Sequence, residues 1–151
     1  MSESANAGEM TYRRVHEAPP ELLFDCMTQP EHLTRFWGPA GTSTPLDGIT
    51  VDLRPGGSFE TVMVSDADGS RYTMRAVYVD VRRPERLVWT EPGVEGGMTT
   101  TITLTDLGDG TTEVVTHQTN VPAMFATPES QAGFKTSLDR FAAYVTTLTG
   151  R

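Results

Sequence analysis

Near the end of the chain, Phe134, Leu138, Phe141, Val145 and Leu148 recur at spacings of four, three, four and three residues. That spacing puts all five on one side of a helix. Thr127 stands ready to cap it, Pro128 suits a first helical position and Glu129 suits the positive N-terminal end. About twenty residues of such helix would span ~30 Å. A rod this long, apolar along one side only, must lie across a second layer that presents a dry face.

The sequence before it supplies that layer. From Thr42 to Thr119 the signals are those of strands. Ile49, Val51 and Leu53 alternate with polar residues ahead of a Pro55-Gly56-Gly57 turn. Ser58 to Ser65 follows, with Phe59 and Met63 on one face and Val62 and Val64 on the other. Asp66-Ala67-Asp68-Gly69 reads as a hairpin loop. Tyr72 to Val81 is a long strand, and Arg86 to Thr90 is a short one carrying Leu87 and Trp89. In Met98 to Asp106 the threonines 99, 101, 103 and 105 face one way and Ile102 and Leu104 the other, which predicts one wet and one dry face. Leu107-Gly108-Asp109-Gly110 turns the chain into Thr111 to Thr119. Ahead of these, Met10 to Glu17 reads as an edge-like strand. Two short helices follow it, opened by Pro19-Pro20-Glu21 and by Gln29-Pro30-Glu31, the second ending at Gly38-Pro39. Leu22, Leu23, Cys26 and Met27 form the apolar face of the first.

The order β-α-α-β6-α predicts an α+β helix-grip fold, a curved antiparallel sheet around a long C-terminal helix. A cone-shaped α+β barrel with N-terminal helices is the competing arrangement, and the long terminal helix argues against it. Residues 10–151 are expected to form a single domain behind a disordered tail, residues 1–9, whose small polar residues lack the basic and apolar regions of a signal peptide. No apolar run approaches the ~18 residues of a membrane span. With one cysteine, Cys26, no intramolecular disulfide can form, and a cytoplasmic location is expected. The formal net charge of −8 with a single lysine, Lys135, repels phosphate backbones, so no nucleic-acid partner is expected.

Chemistry-bearing groups are sparse. His16, His32 and His117 stand in three different elements without metal-ligand spacing, and His117 falls opposite the face of Val114, Thr116 and Gln118. Cys26 reads as an inert buried thiol. Asp66 and Asp68 serve turn geometry, and Glu91, Glu95 and Glu113 are expected to be solvated. The paired glycines make neither a dinucleotide fingerprint nor a phosphate loop. No catalytic residue, metal ligand or cofactor is therefore assigned.

Several stretches resemble a known family. They are Ala18-Pro19-Pro20-Glu21-Leu22-Leu23-Phe24, Thr28 to Leu33, Phe36-Trp37-Gly38-Pro39 and Asp52 to Gly57. Asp68-Gly69, Pro84 to Thr90, Asp109 to Thr112 and Gly133-Phe134 followed by Leu138 continue the match in order. The chain is similar to domains related to the activator of Hsp90 ATPase, within the START-like superfamily that includes Bet v 1 allergens and polyketide cyclases. The resemblance implies a pocket between the concave sheet and the last helix, entered near the short helices and the loop before that helix. Where the family often has tryptophan, this chain has Phe134, which would enlarge the interior or change which ligand fits.

The expected function is binding of a small hydrophobic molecule. The expected lining is Phe36, Trp37, Phe59, Met63, Tyr72, Met74, Tyr78, Trp89, Thr116, Gln118, Phe134 and Leu138. Thr116 and Gln118 are polar groups on the inner face of their strand and need water or a ligand as partners. Two alternatives stay open. One is a cyclase or dehydratase on the same fold, with Tyr72, Tyr78 and Gln118 as the residues to inspect. The other is a co-chaperone-like interaction module. A homodimer is also left open.

Overall fold

The computed structural model describes the backbone of residues 3–6 and the whole of residues 8–150. It begins with strands β1 (Glu3–Asn6) and β2 (Glu9–His16) and helices α1 (Pro20–Thr28) and α2 (Pro30–Phe36). Two short strands follow, β3 (Thr42–Ser43) and β4 (Thr50–Val51), and then β5 (Ser58–Ser65), β6 (Arg71–Arg82) and β7 (Arg86–Glu91). Strands β8 (Met98–Asp106) and β9 (Thr112–Thr119) complete the sheet before helix α3 (Pro128–Thr149). Every strand pairing is antiparallel, and the strands form one open, curved sheet ordered β1-β2-β9-β8-β7-β6-β5-β3, with β4 also on β5. This is the expected helix-grip α+β architecture.

The tandem helices follow from their prolines. Gln29, forced out of helical geometry by the proline after it, is extended at φ −103° and ψ 127°. Its N–H closes α1 on the Asp25 carbonyl at 3.0 Å, and its own carbonyl opens α2 by accepting from Leu33 N at 2.9 Å. Leu23, Phe24, Cys26 and Met27 of α1 are buried, each large apolar side chain contributing about 2 kcal/mol. At α3, Thr127 Oγ1 accepts from Ser130 N at 3.1 Å, and Gly150 ends the helix in the left-handed conformation.

Alternation along the strands sets the concave face. Met10, Gln118, Thr100, Trp89 and Tyr78 stand opposite one another across β2, β9, β8, β7 and β6. Helix α3 crosses this face. Its Phe134 ring lies 4.9 Å from that of Tyr12, its Phe141 ring 5.1 Å from that of His16, and its Asp139 accepts from Arg14 Nη1 at 2.7 Å.

Four expectations meet a different structure. The strand expected over Ile49 to Leu53 shrinks to Thr50–Val51, because Arg54 N turns back onto Asp52 O and Gly57 N onto Arg54 O. The edge-like strand is interior: β2 lies between β1 and β9. Within the stretch expected to be a disordered tail, Glu3–Asn6 pair with β2 instead, while residues 1, 2 and 7 lie outside the described residues. The apolar stripe of α3 is buried at Phe141 and Val145, but its last member, Leu148, is 42% exposed.

Candidate functional site

Between the concave face and α3 lies a cavity of about 890 Å³ with mainly apolar walls, within the range of ~300–1,000 Å³ usual for small-molecule sites. Its lip is the loop from Gly38 to Thr42 after α2, together with Phe125 in the turn before α3 and Ser130 in the helix's first turn. That loop is tied to α3. Arg140 Nη1 donates to the carbonyls of Gly38 and Pro39 at 2.9 Å and of Thr42 at 3.2 Å, and Ala40 N donates to Thr136 Oγ1 at 3.0 Å. Gly38 is needed for its φ of 98° and for space, since a Cβ there would stand 2.7 Å from Thr42 Oγ1.

The cavity wall gathers ten of the twelve residues expected from sequence. Phe36 comes from the end of α2 and Trp37 from its extended C-cap, Met63 from β5, and Tyr72 and Met74 from β6. Trp89 comes from β7, Thr116 and Gln118 from β9, and Phe134 and Leu138 from α3. Tyr72 is at the mouth, 58% exposed. Trp37 Nε1 donates to Thr61 Oγ1 at 3.0 Å, and its ring meets that of Trp89 at 6.2 Å. Gln118 Nε2 donates to Thr100 Oγ1 at 3.3 Å, which supplies part of the partnering its position demands.

Phe59 and Tyr78 are not on the wall. Both point inward, but at the closed end of the sheet, where their rings stack at 5.4 Å and 8° and Trp89 meets Phe59 edge-on. They are core. The Tyr78 hydroxyl is buried with no hydrogen-bond partner, and burial raises its pKa.

The lining expected from sequence left out the inner face of β2 and the end of β7. Tyr12, Arg14 and His16 all line the cavity. His16 is 7% exposed, and burial, reinforced by the Arg14 charge, pushes its pKa down to about 4. It is a neutral imidazole at pH 7. Arg14 pairs with Asp139 through Nη1, while its Nε is buried without a partner. Glu91, expected to be solvated, also lines the cavity, and burial pushes its pKa up to about 7. The signal was available: Tyr12, Arg14 and His16 share one parity in β2, and Glu91 shares that of Trp89.

The remaining candidates stand apart. Glu95 is exposed, and Glu113 faces Arg13 at 3.9 Å. His32 Nδ1 meets Tyr144 Oη at 2.6 Å, and His117 Nε2 meets Glu9 Oε1 at 3.0 Å outside the cavity. Cys26 is fully buried, and burial, with Asp25 adding to it, pushes its thiol up to about 11, so it is no thiolate. Among the described residues no three or more His, Cys, Asp or Glu side chains converge in a metal-ligating group, and no helix is long and apolar enough to cross a membrane.

A single helix gripped by a curved antiparallel sheet over an interior cavity defines the START-like class, whose members serve as ligand-binding or co-chaperone-like modules. The model of the activator of Hsp90 ATPase homolog 1-like protein family matches residues 17–146, and the chain belongs to that family. Solved structures agree. A Chromobacterium violaceum protein is 28% identical, with a TM-score of 0.78 over 89% of this chain and 95% of its own. A Rhodobacter sphaeroides protein, 18% identical, has a TM-score of 0.85 over 97% and 99%. The protein of this family from Silicibacter pomeroyi, 20% identical, has a TM-score of 0.76 over 92% and 98%. At the last two identities the likeness shows the fold. No curated protein matches the sequence significantly.

Proposed function

We propose that this protein binds a small, mainly apolar molecule in the cavity between the sheet and α3. The observation that carries the reading is the cavity itself: about 890 Å³ bounded by Trp37, Met63, Met74, Trp89, Phe134 and Leu138. In a helix-grip domain of this length, side chains that simply filled the core would close that space at native packing density. Aromatic and methionine walls suit a ligand held by shape and area, because methionine repacks around irregular apolar bodies. Native mass spectrometry of the purified protein, with a thermal-shift screen of lipids, flavonoids and polyketides, tests it. A co-purifying mass, or ligands that raise Tm in proportion to occupancy, is expected. Protein that carries nothing and responds to no compound in such a screen refutes the reading.

Glu91 favours a second reading, a cyclase- or dehydratase-type enzyme. A carboxyl poised near neutral pH inside an apolar cavity is what general acid–base catalysis requires. Turnover of a bound polyketide that is lost in Glu91→Gln supports it; binding without turnover removes it.

A further inference from the structure

The ligand-binding reading leaves the ligand's polar chemistry unspecified, and one group on the wall supplies it. We propose that the cavity's ligand is an apolar molecule carrying one basic nitrogen, which binds protonated against the carboxylate of Glu91. This rests on the ligand-binding reading.

Glu91 is the last residue of β7 and lines the cavity. It stands opposite Met98 on β8. On its other side the register, which pairs Val77 with Thr90, brings Ala76 of β6. A methyl group and a thioether flank the carboxylate, so neither neighbour satisfies it. No hydrogen bond or ion pair joins it to any described residue, and burial is the one cause acting on its titration. The other charged or titratable groups on the wall are Tyr12, Arg14 and His16 of β2 and Tyr72 of β6. Helices α1, α2 and α3 and strands β5, β8 and β9 place none there. Arg14 already gives Nη1 to Asp139 from the far side of the sheet, three strands away. His16 is neutral. The cavity thus holds one acid whose ionised form lacks a counter-charge, and a cation brought by the ligand provides it. The net charge of −8 draws such a ligand in and opposes its anionic analogue.

The test compares octylamine, octanol and octanoate, which share one apolar chain, by isothermal titration of the whole protein and of its Glu91→Gln and Glu95→Gln variants. Glu95, exposed and off the wall, is the control for net charge. A hydrogen-bonded, partly buried ion pair makes octylamine bind about tenfold or more tightly than octanol, with octanoate weakest. Glu91→Gln brings amine and alcohol to within about twofold, while Glu95→Gln keeps the preference. Octylamine affinity rises between about pH 6 and about pH 8 as the carboxyl ionises, and octanol affinity stays level. Equal binding of amine and alcohol, tightest binding of octanoate, or an amine preference that survives Glu91→Gln overturns this inference and leaves the ligand-binding reading standing. Failure of all three probes to bind counts against that reading itself.

Discussion

A half-buried acid, Glu91, and a buried base, His16, share the cavity wall, and their effects on stability oppose each other as pH changes. Glu91 ionises near 7 in the folded chain, against an ordinary 4.5. The folded state therefore holds its proton longer than the unfolded state, and stability falls as pH rises from about 4.5 to about 7. His16 protonates near 4, against an ordinary 6.5, so stability falls as pH drops from about 6.5 to about 4. At about 1.4 kcal/mol per pH unit, each effect has a ceiling of ~3 kcal/mol. Water entering through the mouth reduces it to about 2 kcal/mol. Over the shared window the two slopes cancel. Urea denaturation at a series of pH values reads this directly when each variant is compared with the parent protein, so that all other carboxylates drop out of the difference. Glu91→Gln gains about 2 kcal/mol relative to the parent above pH ~7 and nothing below pH ~4.5. His16→Gln gains about 2 kcal/mol below pH ~4 and nothing above pH ~6.5. A difference that is flat across pH for either variant refutes the burial of that group.

Three further perturbations follow from contacts described above. Arg140→Met removes three hydrogen bonds to the lip carbonyls and costs about 2 kcal/mol in chemical denaturation, with faster amide exchange in residues 38–42. Tyr78→Phe deletes a buried hydroxyl that has no partner, so it leaves stability unchanged or raises it by up to about 1 kcal/mol in the same assay. Phe134→Trp fills space beside Tyr12; it lowers the fluorescence of a bound apolar dye, with stability changed by less than about 1.5 kcal/mol.

The periodicities carried the architecture because they are local. The four-three spacing in α3, the prolines before α1 and α2, and the threonine alternation in β8 each follow from neighbours a few residues away. Position along a strand is not local in this sense. Tyr72, Met74 and Tyr78 share a parity in β6, yet Tyr72 lies at the open mouth and Tyr78 stacks on Phe59 at the closed end. Parity names the face; cross-strand register sets the depth. The register of β6 on β7 also shifts between Tyr78 and Asp80, an irregularity no local pattern displays. Arg14, His16 and Glu91 were left off the expected lining for a related reason. Charged residues on a strand suggest solvent until pairing closes a wall around them: for Arg14 and His16 that is β2 on β9, across more than ninety residues of chain, and for Glu91 it is β7 between β6 and β8.

That long-range pairing has a consequence for biosynthesis. One wall belongs to an early strand, the opposite one to the strand just before α3, and the covering helix comes last. On the ribosome the nascent chain would hold two proline-opened helices and a growing meander, with the apolar inner surface facing water until α3 clears the exit tunnel. The interval from β9 to the docking of α3 is when aggregation competes most strongly with folding.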